Sequence, residues 1–278
     1  MAEITAALVK SFRDKTGLPM MDCKKALSEA NGDADEALRI LREKGKLKMI
    51  EKGAERITEE GVITTASNDN GVAIIELLCE SAPVASNPEF LQLANDIAQV
   101  YLEKGGQSAE EVMANVSPSK SGMTLQEQLE ELYNRIREVF RLNRFARILG
   151  TGATYVHHNK KVGVLIETEG LDLDAAKDIC MHIAAMRPDY LNRDQVPADV
   201  VEKEKDVLKS TMLNDPKNAG KPENILHKII DGQINAFFKT RCLVDQEFVK
   251  DPSVSVGTHA KNNGMVIKQY IHWTLGNK

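Results

Sequence analysis

Thr16-Gly-Leu-Pro-Met-Met-Asp-Cys-Lys-Lys-Ala-Leu27 is the stretch on which the reading of this chain turns. Gly17 and Pro19 break whatever helix precedes them, since glycine accepts a left-handed cap and proline lacks an N–H. Asp22 is placed to cap the helix that follows, its carboxylate close to free backbone donors. Ala26, Leu27 and Ala30 recur at helical spacing, and Asn31-Gly32 provides a stop. Two adjacent methionines, Met20 and Met21, then stand at a helix start. Methionine is unbranched and polarizable, so the pair either fills a small core or forms an adaptable contact surface.

Working outward, residues 4–44 read as three short helices. Ile4, Leu8 and Phe12 form one apolar stripe, Cys23, Ala26, Leu27 and Ala30 a second, and Ala37, Leu38 and Leu41 a third that closes near Gly45. A basic tract of Lys44, Lys46, Lys48 and Lys52 follows and reads as a solvated linker or exposed helix. The middle of the chain holds a loose internal repeat. Val62–Ala66 reads as a strand, Asn68–Gly71 as a turn and Val72–Cys79 as an apolar strand. A helix follows from Pro88, capped by Asn87, with Phe90, Ala94, Ile97 and Tyr101 inward. The same order recurs in Thr151–His157, a turn at 158–160, Val162–Thr168 and a helix from Asp174 to Met186 carrying Ala176, Ile179, Ile183 and Met186 on its inner face. Between the repeats, residues 105–145 contain a loop at Ser117–Gly122 and an amphipathic helix marked by Leu125, Leu129, Leu132, Ile136 and Val139. Two helices near 198–213 (ended by Pro216) and 223–238, an irregular tract at Ser253–Gly264 and a strand at Met265–Thr274 complete the chain. The fold class expected is α+β: a three-helix domain over 1–46, a linker over 47–60, an α+β subdomain with a helical insertion over 61–145, and a second over 146–278 that includes the carboxy-terminal helices.

At 278 residues the chain exceeds one ordinary core, so more than one domain is expected. Its 42% hydrophobic and 28% charged content is that of a globular protein. A net charge of −5 argues against a protein whose main task is gripping phosphate backbones. No apolar run reaches membrane-spanning length, and the first twenty residues carry Glu3, Lys10, Arg13 and Asp14, unlike a secretory leader. Cys23, Cys79, Cys180 and Cys242 are scattered, which fits free thiols in a reducing, cytoplasmic setting.

The order of motifs resembles the bacterial translation elongation factor Ts family along nearly the whole chain. Besides residues 16–27, the similarity lies in Asn31-Gly-Asp33 with Ala37-Leu38, in Tyr155-Val-His-His-Asn-Lys-Lys-Val-Gly-Val-Leu165, in Met181–Ala185 followed by Arg187-Pro-Asp-Tyr190, and in Pro197–Glu204 with Gly220-Lys-Pro222. The resemblance implies a guanine-nucleotide exchange factor for elongation factor Tu, without covalent chemistry, cofactor, metal, direct nucleic-acid contact or membrane. The amino-terminal three-helix unit by itself resembles ubiquitin-associated modules. Three contacts follow from the family resemblance: Met20, Met21 and Lys24 on the partner's nucleotide domain, Ser81, Ala82, Pro83 and Val84 beside its magnesium, and His157 with helix 223–238 on its other domains. One departure is sharp. Where the family carries Cys-Gln-Thr-Asp-Phe-Val-Ala, this chain has Cys79-Glu-Ser-Ala-Pro-Val-Ala85, so the carboxylate and aromatic ring implicated in dislodging magnesium are replaced by Ala82 and Pro83. A factor that holds the GTPase without efficient exchange is therefore the rival expectation. The Ser253–Gly264 tract is a second departure, the family having a more helical segment there.

Other constellations point less far. His157-His158 lacks companion ligands, and neighbours on a strand face opposite ways. His182 sits in an apolar helix and reads as a core or interface residue, Cys79 as a small hydrophobe, and the acidic residues of 202–206 as a charged helix face. No phosphate-cradling glycine loop or nucleophile elbow is present, which leaves a covalent enzyme as a weak alternative. An adaptor working through residues 1–45 alone is another.

Overall fold

The computed structural model describes residues 4–53, 55–214 and 222–276. The elements are α1 (Ala6–Thr16), α2 (Met20–Glu29), α3 (Ala34–Gly53), β1 (Glu60–Asn68), β2 (Gly71–Cys79), α4 (Ala82–Ala85), α5 (Pro88–Lys104), α6 (Ala109–Met113), α7 (Leu125–Ile136), β3 (Arg141–Leu149), β4 (Gly152–Val156), β5 (Val162–Glu169), α8 (Leu173–Met186), α9 (Ala198–Asn214), α10 (Glu223–Arg241), β6 (Glu247–Phe248), β7 (Asp251–Ser255), α11 (Val256–Asn262) and β8 (Val266–Thr274). This is an α+β chain. It divides into two compact units, one of Met1–Arg147, Val156–Gly163 and Trp273–Lys278, the other of Ile148–Tyr155 and Val164–His272.

In the first unit, α1, α2 and α3 enclose a small core of Val9, Phe12, Leu18, Cys23, Ala26, Leu27, Ala37 and Leu41. Gly17 takes the left-handed cap of α1 (φ 68°), as the Thr16–Leu27 stretch predicts. The third helix does not close near Gly45; it continues to Gly53. The reason is a close approach. A side chain at Gly45 would place its Cβ 1.7 Å from Asn134 Oδ1, so the glycine lets α3 lie against α7 and is not a stop signal. The side chains of Lys46, Lys48 and Lys52, and the expected stop at Pro216, lie outside the described residues.

β1 and β2 form an antiparallel hairpin, Glu60 opposite Cys79 and Asn68 opposite Gly71. The sheet order is β1-β2-β3, so β2 is central, and all nine of its residues are buried. β3 is an addition to the sequence reading, which assigns no strand between Val139 and Thr151. Tertiary partners hold this segment extended. Arg144 pairs with Glu76 of β2 (Nε to Oε2, 2.9 Å), and Arg147 Nη1 donates to the carbonyls of Tyr101 and Leu102 at the end of α5 (3.4 and 3.2 Å). Val139 accordingly lies beyond α7, which ends at Arg137 in a left-handed cap. Asn87 caps α5 by accepting from the N–H groups of Glu89 and Phe90, with Pro88 in the first turn.

The second unit contains most of a sheet ordered β4-β5-β8. Ala153, Val164, Ile166, Ala176, Ile179, Ile183, Leu243 and Phe248 contribute to its core. Met186, expected inside, is exposed at the end of α8. The Ser253–Gly264 tract is ordered structure: β7, then α11 capped by the Ser255 hydroxyl, which accepts from Thr258 N–H. α9 and α10 pack through Met212, Ile230 and Ile234.

Candidate partner-binding surface

α2 begins at Met20 with Pro19 as its cap residue, and no side chain accepts from its first N–H groups. Asp22 therefore does not cap the helix; its carboxylate sits in the first turn and receives Arg137 Nη2 at 2.5 Å. Cys23, Ala26 and Leu27 fill the core behind, while Met20 is 42% and Met21 61% exposed. The methionines thus lie outside the core of α1–α3, and Lys24 is exposed beside them. A soft apolar pair with a cation next to it has the chemistry of an adaptable contact surface.

Cys79-Glu-Ser-Ala-Pro-Val-Ala85 turns from β2 into the one-turn helix α4. Ala82 and Pro83 are exposed, whereas Val84 and Ala85 are buried in the core of the first sheet. Val84 was expected on the partner-facing tip; the helical turn of α4 rotates it inward, so the tip is Ser81, Ala82 and Pro83. The base of this tip is held firmly. Ser81 donates its N–H to Glu138 Oε2 (3.0 Å) and its hydroxyl to Glu138 Oε1 (2.6 Å). Glu80 accepts from Val139 N–H (2.7 Å) and from Arg56 Nη1 (2.9 and 3.0 Å), and the same Arg56 nitrogen donates to Arg137 O (3.2 Å). No residue of Arg56, Glu80, Arg137, Glu138 or Val139 stands out in the sequence as a site residue, because charged and turn positions of this kind are common on any surface.

His157 is half-buried just past the end of β4, its N–H donating to Val162 O (2.9 Å) and its carbonyl accepting from Lys160 N–H (2.8 Å). Because it stands in the turn and not within the strand, its ring does not oppose that of His158; the two centroids are 4.1 Å apart. Met20, Met21, Lys24, Ser81–Pro83 and His157 all belong to the first unit.

The remaining reactive-looking groups are built into cores. All four cysteines are buried and free, and burial pushes the thiol of Cys79 up to about 12 and that of Cys242 to about 11, away from thiolate chemistry. His182 is fully buried: its Nε2 lies 2.9 Å from Gln246 Oε1, and its Nδ1 accepts from Val249 N–H at 3.2 Å. That pairing fits the Nε2-protonated tautomer, and burial lowers its pKa. No described helix is long and apolar enough to cross a membrane.

A family model described as elongation factor TS matches residues 83–277. Elongation factor Ts of Hydrogenobaculum sp. (strain Y04AAS1) is 39% identical over 275 residues, covering 98% of this chain and 99% of that one. The chain belongs to the elongation factor Ts family. Membership in that family places it among the elongation factors of protein biosynthesis. The similarity to the Hydrogenobaculum member runs through both compact units. Neither an unrelated covalent enzyme nor an adaptor confined to residues 1–45 accounts for a family likeness of that extent.

Proposed function

We propose that this chain is the guanine-nucleotide exchange factor of elongation factor Tu: it binds the GDP-bound GTPase, promotes GDP release and leaves the site open to GTP. The observation that carries this reading is membership in the elongation factor Ts family across both units. The exposed, adjacent methionine pair supports it as a soft apolar surface free to meet a partner.

No covalent step is needed. The factor binds the nucleotide-poor GTPase more tightly than the nucleotide-bound one, and linkage requires that nucleotide binding weaken by the same factor. Met20, Met21 and Lys24 would meet the nucleotide domain, His157 with α10 the rest of the partner, and Ser81, Ala82 and Pro83 the surroundings of magnesium. Ala82 brings no carboxylate to compete for the ion, and Pro83 brings little bulk. The exchange step therefore rests more on shifting the phosphate-binding elements than on a wedge at the metal.

The test is release of fluorescent GDP from elongation factor Tu, timed with and without this chain. Acceleration is expected. Replacing the tip residues, Ala82→Asp with Pro83→Phe, is expected to speed release about tenfold further, equal to about 1.4 kcal/mol of barrier. A stable complex with unaltered release would reject exchange in favour of a holding role.

A further inference from the structure

We propose that Arg137-Glu138-Val139 is a positioning bracket that ties the Met20-Met21 helix start to the Ser81–Pro83 tip, with Arg137 as the residue that joins them. The inference rests on the exchange reading above for its consequence, but its geometry stands alone. Three consecutive residues grip two separate segments. The Arg137 guanidinium holds Asp22, two residues from Met20 (Nη2 to Oδ2, 2.5 Å). The Glu138 carboxylate holds the N–H and hydroxyl of Ser81 (3.0 and 2.6 Å). The Val139 N–H holds Glu80 (2.7 Å), and Arg56 closes the loop by donating to both Glu80 and the Arg137 carbonyl. Asp22 and Arg137 are each about one third exposed at the side chain, 31% and 33%, so this charge-assisted bond is partly shielded from water.

Arg137 also adopts a left-handed backbone (φ 69°, ψ 21°), where most side chains are disfavoured and glycine or asparagine would close α7 at lower cost. From this cap the Arg137 side chain reaches Asp22. Two contacts on one rigid frame present themselves together, so docking one places the other without a second ordering cost. Two independent contacts would each bear that cost.

Two measurements test the bracket, with Arg137→Asn (which keeps a residue suited to the left-handed cap), Asp22→Asn, and the reversed pair Asp22→Arg with Arg137→Asp. The first uses spin labels introduced by Met21→Cys and Pro83→Cys; the four native thiols are buried and do not compete. A single narrow distance distribution is expected in the parent and a broadened one with Arg137→Asn; equal widths overturn the proposal whatever the exchange activity proves to be. The second is GDP release across a range of factor concentrations. Each Asn variant is expected to lower the maximal release rate about fivefold, with the half-saturating concentration changed less than about twofold and the melting temperature within about 3 °C. The reversed pair is expected to restore at least half of the lost rate. Release equal to the parent, or a loss that tracks melting temperature, overturns the proposal. If the parent itself fails to accelerate release, the exchange reading falls, and the distance distributions still decide the bracket.

Discussion

The hairpin of β1 and β2 with α5, and the hairpin of β4 and β5 with α8, follow one plan and differ where it matters. In each, the second hairpin strand is central and a third strand lies on its far side, β3 in the first case and β8 in the second. The connection from central strand to helix is residues 170–172 in the second copy. There Gly170 turns with φ +76°, and a Cβ on it would lie 2.2 Å from the Gly264 carbonyl oxygen. In the first copy it is residues 80–87, long enough to hold α4 and to project Ala82 and Pro83, with Ser81 and Glu80 anchored from outside the hairpin. The lesson is that the shared plan supplies rigidity, while the candidate contact sits where one copy has surplus chain. The central strands differ too. β5 buries Val164, Leu165 and Ile166, whereas β2 carries Glu76, fully buried and bonded to Arg144, Asn143 and the Gly276 N–H.

The largest effect that would break this comparison is at Glu76. Glu76→Ala removes the carboxylate that pairs with Arg144, leaving it only the Thr274 carbonyl and the Trp273 ring, and is expected to cost about 3 kcal/mol in urea unfolding, while the paired change Glu76→Leu with Arg144→Leu recovers most of it. Full stability of the single variant would mean that the two central strands are energetically alike. Next comes Gly170→Ala, expected to cost about 2 kcal/mol, because the tight turn has no room for a Cβ against a backbone oxygen. Denaturant midpoints check it, and an unchanged midpoint would show that the short connection is less constrained than its geometry implies.

A smaller effect is expected at His182. Its folded pKa is lowered by burial, whereas the unfolded imidazole titrates near about 6.5. The unfolded state therefore binds the proton first as pH falls. The contribution of neutral His182 is intact above that value and is lost progressively below it. Melting temperatures between pH 7 and 5 should fall less steeply in His182→Gln, which retains a donor for Gln246; parallel curves would remove His182 from the account. The smallest effect on stability is expected at Met21. Met21→Ala should move unfolding by less than about 0.5 kcal/mol, as for other exposed side chains, yet weaken capture of elongation factor Tu measurably. An unfolding change of the size seen for a core residue would return the methionine to the bland role of filler.

Much of the architecture is written in local chemistry. The helix break at Gly17-Leu-Pro19, the caps at Asn87 and in the Asn68–Gly71 turn, and the periods of β2 and α5 depend on residues within a few positions of one another, so the sequence alone determines them. The methionine pair was not settled that way: residue type left core filler and contact surface both open, and its exposure is read from the structure, where Cys23, Ala26 and Leu27 fill the inner face of α2. What only the tertiary structure decided are the features set by distant partners. Gly45 reads as a stop until Asn134 is seen against it, and Val139 reads as part of the amphipathic helix until α7 closes at Arg137 and β3 joins β2. Asp22 reads as a cap until Arg137 takes its carboxylate, and Val84 reads as tip until α4 turns it into the core. A side chain's own propensity is worth a fraction of a kcal/mol, whereas a buried contact or a charge-assisted bond is worth one or more, so wherever the two compete the partner from elsewhere in the chain prevails.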